Sequence, residues 1–291
     1  MTVRNLRGSD DPAVVDFVDL RRDDRKHSTP RPLIAEGRLC VRQLAASRLS
    51  VRTVLVRRDL ADEVDSWFGN AVEVIAADPA DLRSITGFHF HRGMLASAER
   101  PAVRSIEELS EAAPPWCLAP WGVADRENLG VIIRTAAAFG GRRLIISGAT
   151  ADPWARRTVR TSMANVFGCD FHRTNLGGLR RLATSGFRLV AMTTHDATPL
   201  PGLRSDGRPI VCLVGEEGRG LPVDVIDICH DRIVIPISAD VDSLNVGVAA
   251  GIAMHHLATG QTGHRFRSGP EPVPPTPPEA PTPPTPTPPE V

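Results

Sequence analysis

The 291-residue chain has no net charge, because 34 lysines and arginines balance 34 acids. A global pull toward nucleic acid is therefore missing, and any RNA-binding surface has to be local. Lysine is nearly absent. Lys26 is the sole one, which leaves arginine, the better bidentate ligand for phosphate, as the cation of this chain. No apolar run reaches the roughly 18 residues of a membrane-spanning helix. The start, MTVRNLRGSDDP, lacks the apolar core of a secretory signal, so a cytoplasmic location and no membrane partner are expected. The cysteines, Cys40, Cys117, Cys169, Cys212 and Cys229, are odd in number and form no C-x-x-C. They read as reduced, idle thiols. His89 and His91 have H-x-H spacing but no third ligand, so solvent- or RNA-facing histidines are expected and no metal.

Two familiar phosphate loops are also missing. VCLVGEEGRGLP, residues 211–222, follows an apolar run with Gly215, Gly218 and Gly220. No Gly-Lys-Ser/Thr follows, and the order G-E-E-G-R-G is not G-x-G-x-x-G. Glu216 and Glu217 would repel a bare phosphate. Alone, the loop also reads as a tight turn between strand and helix.

What is present is an α/β pattern. Ile34 to Leu49 reads as an amphipathic helix, and strands are expected from Thr53, Val72 and Gly93. The polar stretch Arg100 to Pro115 ends in a proline pair and marks a boundary. Beyond it, strands are expected at Trp116–Pro120, Arg143–Ser147, Arg188–Thr193, Ile210–Val214 and Arg232–Ile237. Helices are expected at Asn128–Phe139, Ala155–Ala164, Leu176–Ser185 and Ser243–Ala258. Strands apolar on both faces imply a mainly parallel sheet, with ligands outside its carboxyl ends. From about His264 the chain is Pro/Thr-rich and nearly free of apolar side chains. A disordered tail is expected, either solubilising or a Pro-rich ligand.

Three segments stand at such carboxyl ends. In ADRENLGVIIRTAAAFGG, Asn128 reads as a helix N-cap, and Arg134 sits among apolar and small neighbours. That arginine implies either a structural salt bridge or a charged ligand. The glycine loop is the second. In the third, IPISADVDSLNVGVAAGIAMHHLATG, Asp242 or Ser243 reads as the cap of a Gly/Ala-rich helix. Such a helix needs close packing against another backbone or a second subunit.

Together the segments resemble the SpoU (TrmH-like) branch of the SPOUT RNA methyltransferases. The family patterns are N-x-G-x-I-x-R-x-A-x-x-F-G, G-x-E-x-x-G and I-P-M-x-G-x-x-x-S-L-N-V-x-x-A. Here they stand as Asn128, Gly130, Ile132, Arg134, Ala136, Phe139 and Gly140; then Gly215, Glu217 and Gly220; then Ile235, Pro236, Ser243, Leu244, Asn245, Val246 and Ala249. Ile237 replaces the methionine and Ala239 a glycine. The likeness covers about Trp116 to Gly260, and more loosely the N-terminal part, which looks like a ribosomal-protein-like RNA-binding domain.

The resemblance implies a trefoil-knotted, parallel-sheet α/β methyltransferase domain over residues 115–262. A small α/β RNA-binding domain over 1–110 would precede it, and the tail 264–291 would follow. It implies S-adenosylmethionine as cofactor, held near Val214, Gly215, Gly220, Ile235 and Leu244. The reaction would be methyl transfer to a ribose 2′-hydroxyl of rRNA or tRNA, carried by Arg134 with Asn128, Glu217, Ser243 and Asn245. The family's dimers imply a homodimer. Arg38, Arg42 and Arg92 are candidates for tracking an RNA backbone, or for a solvated face. A non-catalytic RNA-binding or ribosome-assembly factor on the same fold is the alternative.

Overall fold

Two sheets carry the chain in the computed structural model, which describes residues 3–20, 31–88, 90–111 and 114–260. The first has the order β1 (Val3–Asn5), β4 (Glu73–Ala77), β3 (Val51–Arg57), β5 (Met94–Ala98), β2 (Leu33–Glu36). β1, β4 and β3 are parallel, and β5 runs antiparallel to β3 and β2. Alternation of side chains gives this sheet two apolar faces. Val54, Val56 and Val74 meet α1 (Arg38–Ala45) and α2 (Ala61–Phe68). Leu55, Ile75 and Leu95 meet α3 (Pro79–Thr86).

The single helix expected over Ile34–Leu49 is two elements. Leu33–Glu36 is a strand, fully buried, and α1 begins only at Arg38. Gly37 between them stands at φ +86, a conformation that glycine takes without steric cost and that breaks the helical run. Leu39 is exposed, and Cys40, Val41 and Leu44 form the buried face of α1.

After α4 (Ile106–Glu111) the second sheet has the order β10 (Thr198–Pro199), β12 (Asp231–Val234), β9 (Arg188–Met192), β11 (Ile210–Val214), β6 (Trp116–Pro120), β7 (Arg143–Ile146), β8 (Asp170–Arg173). Every pairing in it is parallel. α5 (Arg126–Ala138), α6 (Arg156–Thr161) and α9 (Val246–Gly260) cover one face; α7 (Leu176–Thr184), α8 (Val223–Ile226) and α4 cover the other. Burial on both sides explains why β6 and β11 read as continuous apolar runs. Cys117, Cys212 and their neighbours fill that core, and burial pushes both thiols up to about 12. Two elements are shorter than their patterns suggested. β12 ends at Val234, and α6 ends at Thr161 because the chain turns through positive φ at Met163 and Ala164. β8 carries only one apolar residue, Phe171, and so left no run to read.

One apolar cluster continues from the first sheet into the second. Beside it lies Glu36, 6% exposed, whose carboxylate accepts a hydrogen bond of 2.7 Å from the Arg156 guanidinium of α6. Arg156 also stacks over Phe88, 5.0 Å from the ring centroid, and Arg92 lies 3.7 Å from Glu36. A buried charge that loses its partner is costly. Glu36→Gln is expected to destabilise the protein by roughly 2 kcal/mol, read as a lower urea midpoint at an unchanged denaturant slope. An unchanged midpoint would mean that the apolar cluster alone joins the sheets.

The described residues contain no helix long and apolar enough to cross a membrane. The tail 264–291 and His89 lie outside the described residues.

Candidate active site

β6 and β11 lie side by side, and in chain order the sheet grows outward from them in opposite directions. Such a switch point opens a crevice at the carboxyl ends of the strands. Trp121 N–H extends the pairing by donating to Val214 O at 2.8 Å. Gly122 then turns away at φ +74. Its N–H is held by the Ser147 and Thr150 hydroxyls at 3.1 and 3.3 Å, and Thr150 also donates to Pro120 O at 2.8 Å. The turn after β6 is thereby fixed to the turn after β7.

α5 starts from this turn. Its cap is Asp125, which accepts from Asn128 N–H at 2.8 Å, rather than Asn128 as the sequence suggested. Asn128 sits inside the first turn, so its side chain is free to reach outward. Its amide donates to a Glu217 carboxylate oxygen of the glycine loop, while its carbonyl accepts from the Asn245 amide at 2.9 Å. Asn245 in turn accepts from Gly247 and Val248 N–H at 2.9 and 3.3 Å. It is therefore the cap of α9, in place of the expected Asp242 or Ser243. Three segments far apart in sequence are joined by one chain of side-chain hydrogen bonds, Glu217–Asn128–Asn245.

The glycine loop closes on itself. Gly220 N–H donates to Glu216 O at 3.0 Å, and Gly218 and Gly220 stand at φ +88 and +69. A Cβ on Gly215 would lie 2.1 Å from the Gly220 carbonyl carbon. The segment after β12 contrasts with it. Residues 236–243 are exposed, and the one backbone hydrogen bond within them runs from Val241 N–H to Ser238 O at 3.2 Å. Ser243 is exposed and makes no hydrogen bond with a described residue, whereas Ile235 and Leu244 are half-buried.

Arg134 stands apart from the hydrogen-bonded chain, about 9 Å further along α5. Its side chain is exposed and makes no ion pair or hydrogen bond with a described residue. The structural salt bridge allowed for it is thus not formed. The small residues of α9 meet α5 within the same chain: a Cβ on Gly247 would be 3.0 Å from Val131, and one on Gly251 3.6 Å from Thr135. Val131 of α5 is 38% exposed, and Val248 and Ile252 of α9 are exposed as well.

The N-terminal arginines differ among themselves. Arg38 pairs with Glu63 at 2.5 Å and Arg92 with Glu36, whereas Arg42 is exposed and makes no ion pair with a described residue. Sequence reasoning missed Asp125 and the buried Ser147–Thr150 pair. The signal for Asp125 was available, an acid three residues before Asn128 at a helix start.

The SpoU rRNA Methylase family model matches residues 116–255, a span that holds the first two segments and the third up to His255. An uncharacterized tRNA/rRNA methyltransferase of Mycobacterium bovis is 34% identical over 92% of this chain and 96% of its own. The chain belongs to the SpoU methylase family, whose members are RNA methyltransferases. Among solved structures, an AdoMet-bound rRNA methyltransferase from Sinorhizobium meliloti superimposes with a TM-score of 0.76 at 25% identity, covering 89% of this chain and 98% of that one. The fold is shared with the SpoU methyltransferase AviRb from Streptomyces viridochromogenes, solved with AdoMet, at a TM-score of 0.66 and 23% identity over 80% of this chain and 91% of that one.

Proposed function

We propose that this SpoU-family protein transfers the methyl group of S-adenosylmethionine to a ribose 2′-hydroxyl of rRNA or tRNA. The observation that carries the reading is the Glu217–Asn128–Asn245 chain, which holds the three family segments together at the carboxyl ends of the sheet. The residues present fit the cofactor. The 236–243 segment offers backbone donors and acceptors with almost no internal partners, suited to the edge of an adenine. Val214, Gly215, Gly220, Ile235 and Leu244 would line its site, and glycine permits the close approach of backbone to ligand. The cofactor supplies an electrophilic methyl group on a sulfonium when bound.

This chain then has to position and activate a weak nucleophile. Arg134 stays protonated and is a poor base. Its role is to grip the phosphate next to the target ribose and to stabilise the alkoxide as it develops. Asn128 and Asn245 fix the loops, Glu217 orders the glycine turn, and Ser243 offers a hydroxyl at the rim.

A trefoil knot through the second sheet is part of the reading. Its support is that residues 235–245 run from β12 to Asn128 of α5, across three strand spacings, ~14 Å, past the glycine loop. A homodimer is the second part. Val131, Val248 and Ile252 leave an exposed apolar face on α5 and α9 that borders Arg134. The first sheet serves as the RNA-binding domain, residues 1–110, ahead of the methyltransferase domain, 115–262.

The test is transfer of labelled methyl from S-adenosylmethionine into bulk rRNA and bulk tRNA, with digestion to nucleosides. A labelled 2′-O-methylnucleoside is the expected product. Label on a base would overturn the ribose chemistry. RNA binding without any transfer would make the protein a non-catalytic binder.

A further inference from the structure

A cavity of about 480 Å³ opens at the seam of the two sheets, away from the carboxyl-end site. Gln43 and Arg48 line it from the first sheet's side, in and just after α1. Arg142, Asn165 and Gly168 line it from the second. No carboxylate stands among its lining residues. Arg142 is exposed and, among the described residues, has no ion pair or hydrogen bond through its guanidinium. Its position is shaped by Gly168, where a Cβ would lie 2.6 Å from a guanidinium nitrogen. Arg48 is anchored by one nitrogen to Asp170 at 2.6 Å, which leaves its other N–H groups for a ligand. The Gln43 amide is exposed and makes no hydrogen bond with a described residue.

With Arg48 paired to Asp170, the charge left uncompensated at the cavity is that of Arg142, which an anion would neutralise. Planar, forked donors match phosphate oxygens bidentately. Arg142 of the cavity follows the far end of α5, whose last residue, Ala138, lies about 15 Å along the helix from Asn128. Arg160, in the last turn of α6 just before the cavity residues Met163 and Ala164, is half-buried and likewise has no ion pair with a described residue. A polyanion whose charges recur along its length suits this layout better than a small metabolite.

We propose that the seam cavity holds a backbone phosphodiester of the RNA substrate, remote from the methylated nucleotide. The inference rests on the RNA methyltransferase reading and adds a second point of attachment to it. Through this contact the first sheet and the catalytic sheet grip one RNA together, so that a target is selected by the spacing between phosphate and ribose.

The experiment measures binding of fluorescently labelled bulk rRNA by the full chain over a salt series. Each phosphate contact to a cation steepens the fall of log affinity with log salt by about 0.7–0.9. Arg142→Ala is expected to flatten that slope by about this amount and to weaken binding about tenfold at fixed salt. Arg142→Lys is expected to keep the slope. Gln43→Glu, at an exposed helix position, is expected to weaken binding by a similar factor and guards against a folding defect in the first variant. Calorimetric affinity for S-adenosylmethionine is expected to stay at the wild-type value in all three. A wild-type slope in Arg142→Ala together with wild-type affinity in Gln43→Glu would overturn the seam contact and leave the methyltransferase reading intact. A wild-type chain that neither binds RNA nor transfers methyl would overturn that reading and the inference with it. If millimolar inorganic phosphate raises the melting temperature of the wild type but not of Arg142→Ala, while RNA slopes are equal, the cavity is a small-anion site and the proposal fails.

Discussion

Arg134→Ala is expected to lower methyl transfer about 10²- to 10³-fold, the cost of removing one group that stabilises a developing oxyanion. It is expected to leave the melting temperature and the affinity for S-adenosylmethionine unchanged. Arg134 is exposed and has no ion pair or hydrogen bond with a described residue, so its loss breaks no contact of the fold. A guanidinium held without a partner on a helix that borders the site is available to a phosphate or an alkoxide. Arg134→Lys keeps the charge but loses the planar fork, and an intermediate rate is expected. Single-turnover transfer and calorimetry on the same preparations separate these effects. A wild-type rate in Arg134→Ala would remove the residue from the chemistry. A drop in melting temperature of several degrees would mean it serves the fold.

The second large effect is expected at Gly215. An alanine Cβ there would lie 2.1 Å from the Gly220 carbonyl carbon and 2.3 Å from Leu221 N. Both neighbours are backbone, so no side chain can rotate away. The turn would have to open, breaking the hydrogen bond from Gly220 N–H to Glu216 O and shifting Glu217 away from Asn128. Overpacking of this kind costs about 1–3 kcal/mol in well-packed regions. Gly215→Ala is expected to lose about 3 kcal/mol of stability, by urea unfolding, and to weaken S-adenosylmethionine binding more than tenfold by calorimetry. Gly218→Ala is the useful contrast. Nothing lies within 4 Å of its Cβ position, and only its φ of +88 opposes the change. A milder loss is expected. Equal effects at the two positions would mean that backbone conformation rather than the close approach of Gly215 to Gly220 governs the loop.

Much of the second sheet was legible in the sequence. Trp116–Pro120 and Ile210–Val214 are buried on both faces, so their apolar runs carry the whole signal of a central parallel strand. The first sheet was legible only in part. β2 followed by α1 reads as one helix, because a four-residue buried strand has no period of its own and Gly37 marks the break only through its φ. β8, with a single apolar residue, depends on its neighbour β7 and on the backbone it borders.

The candidate site divides in the same way. The three motifs, the order in which they occur and the residue types Asn128, Arg134, Glu217, Ser243 and Asn245 are properties of the sequence, and so is membership of the SpoU family. Local sequence also sets the glycine turn, because only glycine tolerates both the positive φ and the close backbone approach found there. Which side chains touch was settled by the fold. Parallel pairing places the carboxyl ends of β6 and β11 side by side, and the return of the chain from β12 brings Asn245 to Asn128. Caps moved with it: Asp125 and Asn245 hold the helix starts, and Asn128 is released to link them. The separation of Arg134 from that chain, and the seam that sets Arg48 against Arg142, arise from residues distant in sequence. Local propensity acts over a few residues, whereas these contacts are fixed by packing two sheets and their helices around shared apolar clusters, and only the tertiary structure decides that.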